Sequence, residues 1–424
     1  MTDRSYIANL QLKEVVANMM RRVVMLCVVL GLLWSGAISG LAEQTTLRII
    51  GPWGPEELPE FQPVIDEFER QNPDIRIEYR TGRIEDIAVI LLTQFAAGMT
   101  PADVIDVSTP WFIVEQARKG HLMELSVPKD AFLSGLLDRV TIEGKVYGVP
   151  WSGGFTIIEY RKSFYANHGL PEPRQSQTWD EFVALLNRIR TMEGVKTAIA
   201  SGNGVGWPFT SVVENFIIAF GGPELHRDLT QGDIKWTSPA VRQVFTKYLL
   251  PLLQQGYFGE PEDWEAAVKL MWDGKYGLYF GDSTDAGMLQ PSEDWGCAVL
   301  PGQKGVVMWN DWWFVPRYTS VPQAAMRFIE FLVTQGQAIA AKAGSVRCPT
   351  STKVPLEVLS PAVKEVYELV ADKVVLPDMD DTVGGEFQTT MWDQLKLLWA
   401  TPTEQTLDTI LQELQRAREA TLGR

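Results

Sequence analysis

The sequence predicts an α/β protein built as two lobes, and three observations carry that prediction. The chain has 424 residues, more than one ordinary hydrophobic core accommodates. Its first globular stretch alternates short apolar strands with amphipathic helices in the order β-α-β-α-β, the pattern of a mainly parallel sheet flanked by helices. No repeat, low-complexity tract or long linker divides the remainder of the chain, so it is expected to cross between the lobes more than once. A composition of 46% hydrophobic and 21% charged residues is that of a globular protein.

Residues 1–42 stand apart. Arg21 and Arg22 precede VVMLCVVLGLLW and then SGAISGLA, which read as a charged n-region, an apolar h-region and a small-residue cleavage site at Gly40 and Ala42. This predicts an exported chain with a signal peptide over 1–42, periplasmic or otherwise extracytoplasmic. A retained N-terminal anchor is the alternative, although the apolar run is short for a membrane span. Cys27 follows Val24-Met25-Leu26, without the small residue that a lipoprotein signal places beside its cysteine. In an exported chain Cys297 and Cys348 either pair as a disulfide or remain separate buried thiols.

After the leader, TLRIIGPWG is a strand closed by Gly and Pro. LPEFQPVIDEFERQNPD comes next as a helix with Phe61, Val64, Ile65 and Phe68 on one face. IRIEYR alternates as a strand, IEDIAVILLTQFAAGM is a second helix and ADVIDVS a third strand. In TWDEFVALLNRIR, Thr178 and Glu181 form a capping box. Further helices are expected at 211–220, 239–254, 262–273, 321–335, 361–372 and 403–421, with Gly- and Trp-rich strands or loops between them. Ligands in such folds sit outside the carboxyl ends of strands, here GPWGPEE, RTGR and STPWF.

The formal charge of −15 argues against a nucleic-acid partner, which calls for a basic stripe. The three histidines are not at metal-binding spacing, and neither a nucleophile elbow nor a P-loop is present. GNGVGW (202–207) lacks the strand-turn-helix context of a dinucleotide fingerprint. No cofactor or metal is therefore expected.

Tryptophan stands out instead. There are 15, and Trp53, Trp111, Trp151, Trp207, Trp309, Trp312 and Trp313 fall at loops or strand ends beside Gly, Pro, Asp and Asn. An indole stacks on the C–H face of a sugar, and carboxylates, amides and guanidinium groups take its hydroxyl edge. Each tryptophan can equally be core. Trp53 is followed by Glu56 and Glu57, which either meet ligand or begin the next helix. Ser108, Thr109 and Trp111 end the third strand. Asp282 is either a hydroxyl acceptor or an N-cap. Alternation in MWNDWWFVP puts Trp309, Asp311 and Trp313 on one face, and Asn310 and Trp312 on the other. Arg347 is either a ligand donor or a lobe–lobe salt bridge, and Trp272 belongs to the core.

The chain resembles the extracellular solute-binding proteins of ABC importers, in the group that includes maltodextrin-binding protein. The likeness covers 43–424. It rests on FQPVIDEFERQNPDIRIEY, LLTQFAAGMTPADVIDVS, ARKGHLMEL, GKVYGVPW and IEYRKSFYANHGLPEPRQSQTWDEF. It continues through GWPF, GLYFGD, VLPGQKG, QAAMRFIEFLVT and AGSVRCPT, in that order. The resemblance implies a type II periplasmic-binding fold with a ligand cleft between the lobes, hinge closure, no catalysis, and delivery to membrane permease subunits by a monomer. The expected division is 43–153 with 295–332 for the N-terminal lobe, and 154–294 with 333–424 for the C-terminal lobe. Carried across position by position, it implies Trp53–Glu57, Ser108–Trp111, Trp151–Phe155, Trp207, Asp282, Ser283 and Trp309–Trp312 at the ligand. The late helix around Phe387 and Trp392 adds an aromatic.

The ligand-binding set expected is thus Trp53, Glu57, Ser108, Trp111, Trp151, Trp207, Asp282, Trp309, Asp311, Trp312 and Arg347. A phosphate-bearing ligand would need several basic groups. Only Arg347, with Arg80 or Arg83, offers them, so a neutral mono- or oligosaccharide is favoured. The alternatives are a secreted carbohydrate-active enzyme with an Asp/Glu pair, or a binding protein for another solute such as a polyol or a glycerol phosphodiester. GKVYGVPWSGG (144–154) reads as the crossing segment. Its Gly148, Gly153 and Gly154 supply hinge freedom, Pro150 fixes the approach, and Trp151 faces either the cleft or the core.

Overall fold

The computed structural model describes residues 44–421 other than 56, 134 and 135, together with the single residue 20. The expected leader and Glu56 therefore lie outside the described residues. Among the described residues no helix is long and apolar enough to cross a membrane.

The strands are β1 Thr45–Gly51, β2 Ile75–Thr81, β3 Val104–Val107, β4 Thr141–Ile142, β5 Lys145–Val146 and β6 Val149–Arg161. They continue with β7 Thr197–Ala200, β8 Tyr276–Asp282, β9 Trp295–Ala298, β10 Gly305–Phe314, β11 Cys348–Pro349 and β12 Val374–Pro377. All but the small β4–β5 hairpin join one ten-stranded sheet. Its main path is β2-β1-β3-β10-β6-β8-β7, with β9 and β11 on β6 and β12 on β10. Parallel pairs occur at β1–β2, β1–β3, β7–β8 and β10–β12, while the crossing strands run antiparallel.

The two lobes share β6. Its first half, Val149–Phe155, pairs with β10, and its second half, Thr156–Arg161, pairs with β8 and β9. Each half of the sheet is covered on both faces, so each lobe is an α/β/α sandwich. In the first lobe one face packs on helices Leu58–Gln71 and Pro322–Phe331, and the other on Ile84–Ala96 and Pro110–Arg118. The second lobe packs one face on Trp179–Arg190, Trp207–Gln231, Gly385–Ala400 and Glu404–Thr421. Its other face packs on Trp264–Trp272 and Pro361–Val370.

Local patterns behave as the sequence indicated. Phe61, Val64, Ile65 and Phe68 are the buried face of the first helix. Thr178 accepts the amide of Glu181, whose carboxylate takes the Thr178 amide. The helix expected at 211–220 is longer, Trp207–Gln231, and is interrupted at Gly222 before Pro223.

Packing partners shift two of the expected crossings. β9 still pairs with the second-lobe half of β6, so the chain does not return at 295; it returns within β10, whose Met308 and Trp313 belong to different cores. Leu332, Val333 and Ala340 still pack in the first lobe, and residues 350–352 still bond the first-lobe backbone of Trp151, Leu133 and Ala131, so the chain follows the seam from 341 and its last crossing is complete only after 352 rather than at 333. Cys297 pairs with Glu159 and Cys348 with Gly153, six positions apart on β6 and thus about 20 Å along the strand. That is far beyond disulfide reach, and both are buried free thiols.

Candidate ligand-binding site

The site is built where β6, β10 and β11 pass between the lobes. In β10, Asn310 pairs with Gly153 and Trp312 with Pro150, so Trp151 and Ser152 together oppose Asp311. This β-bulge places its extra residue on β6 and bends the strand as it leaves the first lobe. The bulge leaves the alternation of β10 intact. Asp311 and Trp313 both meet Trp53 on one face, while Trp312 packs into the opposite core.

Gly153 and Gly154 are required by close approach, a cause that the expectation of hinge freedom did not include. A Cβ at Gly153 would lie 1.8 Å from the Trp309 carbonyl oxygen, and one at Gly154 2.1 Å from Asp282 Oδ1.

Arg347 organises the polar centre. It is 8% exposed. Its Nη1 donates to Asp311 Oδ2 at 2.7 Å and its Nη2 to Glu57 Oε1 at 2.7 Å. The guanidinium carbon lies 4.9 Å from the Trp53 ring centroid and 5.7 Å from that of Trp309. Two indoles and two carboxylates thus hold one cation. Burial pulls the Arg347 pKa down, but Asp311 and Glu57 outweigh it and hold it above the ordinary value. Burial pushes Asp311 up to about 6, against the pull of Arg347. Of the two alternatives for Arg347, a ligand donor or a lobe–lobe salt bridge, its ion pairs fit the second, joining the crossing segment to Glu57 of the first lobe and to Asp311 of β10.

Asp282 serves as N-cap and as acceptor. Its Oδ1 takes the Thr284 amide at 2.8 Å and the Thr284 hydroxyl at 2.6 Å, and its Oδ2 takes the indole N–H of Trp309. Burial raises its pKa, opposed by these donors. Trp309 is half-buried and so retains an exposed surface.

The remaining expected residues divide. Trp53 is 2% exposed, donates from Nε1 to Asp311 at 3.1 Å and stacks on Tyr79. It supports the polar centre from beneath. Trp151 does not join the site: it is 2% exposed and packs against Phe61, Trp313 and Gly336. Trp312 is likewise core, at 1% exposure. Ser108 is buried at the end of β3. Trp111 is half-buried, and its ring lies against Gly384 of the second lobe, where a Cβ would come within 2.0 Å. Trp207 is half-buried beside Trp264, with ring centroids 6.0 Å apart. The structure therefore gathers Trp53, Glu57, Asp282, Trp309, Asp311 and Arg347 into one constellation. Trp111 and Trp207 stand apart from it as half-buried aromatics, one from each lobe. Phe387 is core, whereas the half-buried Trp392 donates to Asp380 Oδ2 at 2.7 Å. Arg80 and Arg83 are exposed.

One further residue lies outside the expected set. Asp106 sits in β3 directly opposite Trp313, is fully buried, and has no protein hydrogen-bond partner on either oxygen. Burial first, then Asp311, raise its pKa well above the carboxylate range. The sequence does carry a signal for it: an acid inside the otherwise apolar strand VIDV is costly unless something offsets it.

The comparisons agree with this architecture. The family description "Bacterial extracellular solute-binding protein" matches residues 53–339. An ABC transporter extracellular-binding protein of Pyrococcus horikoshii is 44% identical over 378 residues, 88% of each chain. The lactose-binding protein of Rhizobium radiobacter is 27% identical over 149 residues, 33% of this chain and 35% of that one. Among solved structures, the bacterial solute receptor AcbH, described as preferring β-D-galactopyranose, superposes with a TM-score of 0.80 at 17% identity, covering 90% of this chain and 100% of the receptor. A chitin oligosaccharide binding protein gives 0.74 at 22% identity, covering 89% and 99%. These neighbours share the two-lobed type II fold, and the family binds and delivers solutes rather than transforming them. The chain belongs to the bacterial extracellular solute-binding protein family, as the solute-binding component of an ABC transporter.

Proposed function

We propose that this protein captures a neutral mono- or oligosaccharide outside the cytoplasmic membrane, closes on it by hinge motion as a monomer, and presents it to the permease subunits of an ABC importer. The observation that carries the reading is the constellation at the crossing strands. The half-buried Trp309 offers a stacking face, and the carboxylates of Asp282, Asp311 and Glu57 crowd around a single, already paired Arg347. Sugar hydroxyls donate to carboxylates, and an indole suits the C–H face. An anionic solute such as a glycerol phosphodiester would meet acids with little cation to spare. The half-buried Trp111 and Trp207 extend apolar surface from the two lobes. The lactose and galactopyranose specificities of relatives and neighbours point the same way.

The test is a thermal-shift and tryptophan-fluorescence screen of the purified protein against neutral sugars, polyols and glycerol phosphodiesters. At least one neutral sugar should raise Tm in a concentration-dependent manner and change the fluorescence. A response confined to phosphodiesters or polyols would refute the sugar assignment.

A further inference from the structure

We propose that Glu214, Asp378 and Asp380 form a calcium site in the second lobe. One carboxylate oxygen from each lies within 4.8 Å of the other two. Calcium binds oxygens at about 2.3–2.6 Å, so oxygens on opposite sides of one ion stand up to about 4.8 Å apart. The three oxygens thus fall within the span of a single calcium coordination shell.

The three come from two separate elements. Asp378 and Asp380 flank Met379 at the start of helix Met379–Val383, and Glu214 projects from the long helix Trp207–Gln231. Glu214 is 0% exposed and its Oε1 has no partner, although its Oε2 is held by the Met379 amide at 3.1 Å and by His226 Nε2 at 2.5 Å. A fully buried carboxylate with one oxygen held and the other unpartnered points to a ligand beyond the acidic loop itself.

The loop acids are held more fully than Glu214: Asp380 hydrogen-bonds to Asp378, Thr210 and Gln388 as well as to Trp392. Asp378 Oδ1 takes the Asp381 amide at 3.0 Å, and Asp380 Oδ2 takes the indole of Trp392 at 2.7 Å. The adjacent Asp381 accepts from Gln388 at 2.7 Å and lies outside the three-oxygen group. Among the described residues no lysine or arginine forms an ion pair with any of the four; Arg139 feels the charge of Asp378 but does not bridge to it. A hard divalent cation supplies the missing positive charge with the oxygen ligands it prefers. Asp378 is only half-buried, which gives the ion a route from solvent.

The experiment uses the purified protein stripped with EDTA, Ca²⁺ alone as probe and no solute, so it is independent of the sugar assignment. Equilibrium dialysis should give one Ca²⁺ per chain, and saturating Ca²⁺ should raise Tm by several degrees. Asp378→Asn, which keeps the helix cap, should weaken Ca²⁺ binding about tenfold or more while folding normally without the ion. Glu214→Gln should do the same. Absence of stoichiometric Ca²⁺ in the wild type would overturn the proposal, as would wild-type affinity in both variants.

Discussion

At the scale of single residues, the tryptophans separate by what lies under each ring. Trp151 fills the first-lobe core against Phe61, Trp313 and Gly336. Trp151→Ala should therefore cost about 3–5 kcal/mol of stability, as large-to-small core changes do, and leave solute affinity little changed in the surviving folded protein. Trp309 is half-buried and bonded to Asp282. Trp309→Ala should show the reverse, weakening binding by tenfold or more (about 1.4 kcal/mol) with the smaller loss of stability. Urea denaturation beside calorimetric titration with a solute from the screen separates the two patterns, and equal stability losses would contradict the assignment. The sequence marks both residues as unusual aromatics beside glycine, but it does not divide them. The same residue type fills cores and stacks on ligands, and the division depends on how far along the crossing strand each ring falls. Asp106 escapes a search confined to strand ends, because it sits one residue inside.

At the scale of elements, strands and amphipathic helices were largely legible, because periodicities of 2 and 3.6 are written directly in apolar spacing. Pairing was not. β9 lies in the second lobe, whereas β10, next along the chain, runs from the second lobe into the first, and no local pattern records that. The glycines of β6 show the same limit. Gly153 is legible as a permissive residue, yet its cause is the Trp309 carbonyl from a strand some 150 positions later. Gly153→Ala should therefore destabilise by about 3 kcal/mol or more, because backbone rather than a movable side chain occupies the space. Gly169→Ala, where no atom lies within 4 Å, is the comparison; its φ of +60° leaves backbone strain of about 1 kcal/mol as its cost. Similar losses in the two variants, measured by chemical denaturation, would show that close approach is not what requires Gly153.

At the scale of the whole molecule, the fold class was legible and the exact crossings were not, since lobe membership is decided by packing partners far apart in sequence. Acidity also acts at this scale. Beneath Asp282, the carboxyls of Glu159 and Asp285 lie together, with Glu159 taking the Trp295 indole at 2.8 Å. Burial pushes Asp285 up to about 7 from an ordinary 3.8. Below about pH 4 native and unfolded chains both hold that proton. Between there and about pH 7 the native state keeps it and the unfolded chain loses it. Stability from this group is therefore lost as pH rises through that window. Asp285→Asn should gain on the wild type by about 1–3 kcal/mol between pH 4.5 and 7.5, read from urea midpoints at the two values. A pH-independent difference would show that the group does not titrate in this window.

The central place of β10 has a consequence for how the chain is made. β10 lies between β3 and β6, yet it is residues 305–314, far later in the chain than either neighbour. As the polypeptide emerges, the β1–β2–β3 unit must wait, with one edge unpaired, through the synthesis of most of the second lobe. Helix Pro322–Phe331, which covers its apolar face, arrives later still. Neither lobe corresponds to a continuous stretch that could fold to completion on its own. The nascent chain therefore stays incomplete until near its end, and its first-lobe edge is the place where premature pairing with another chain would begin.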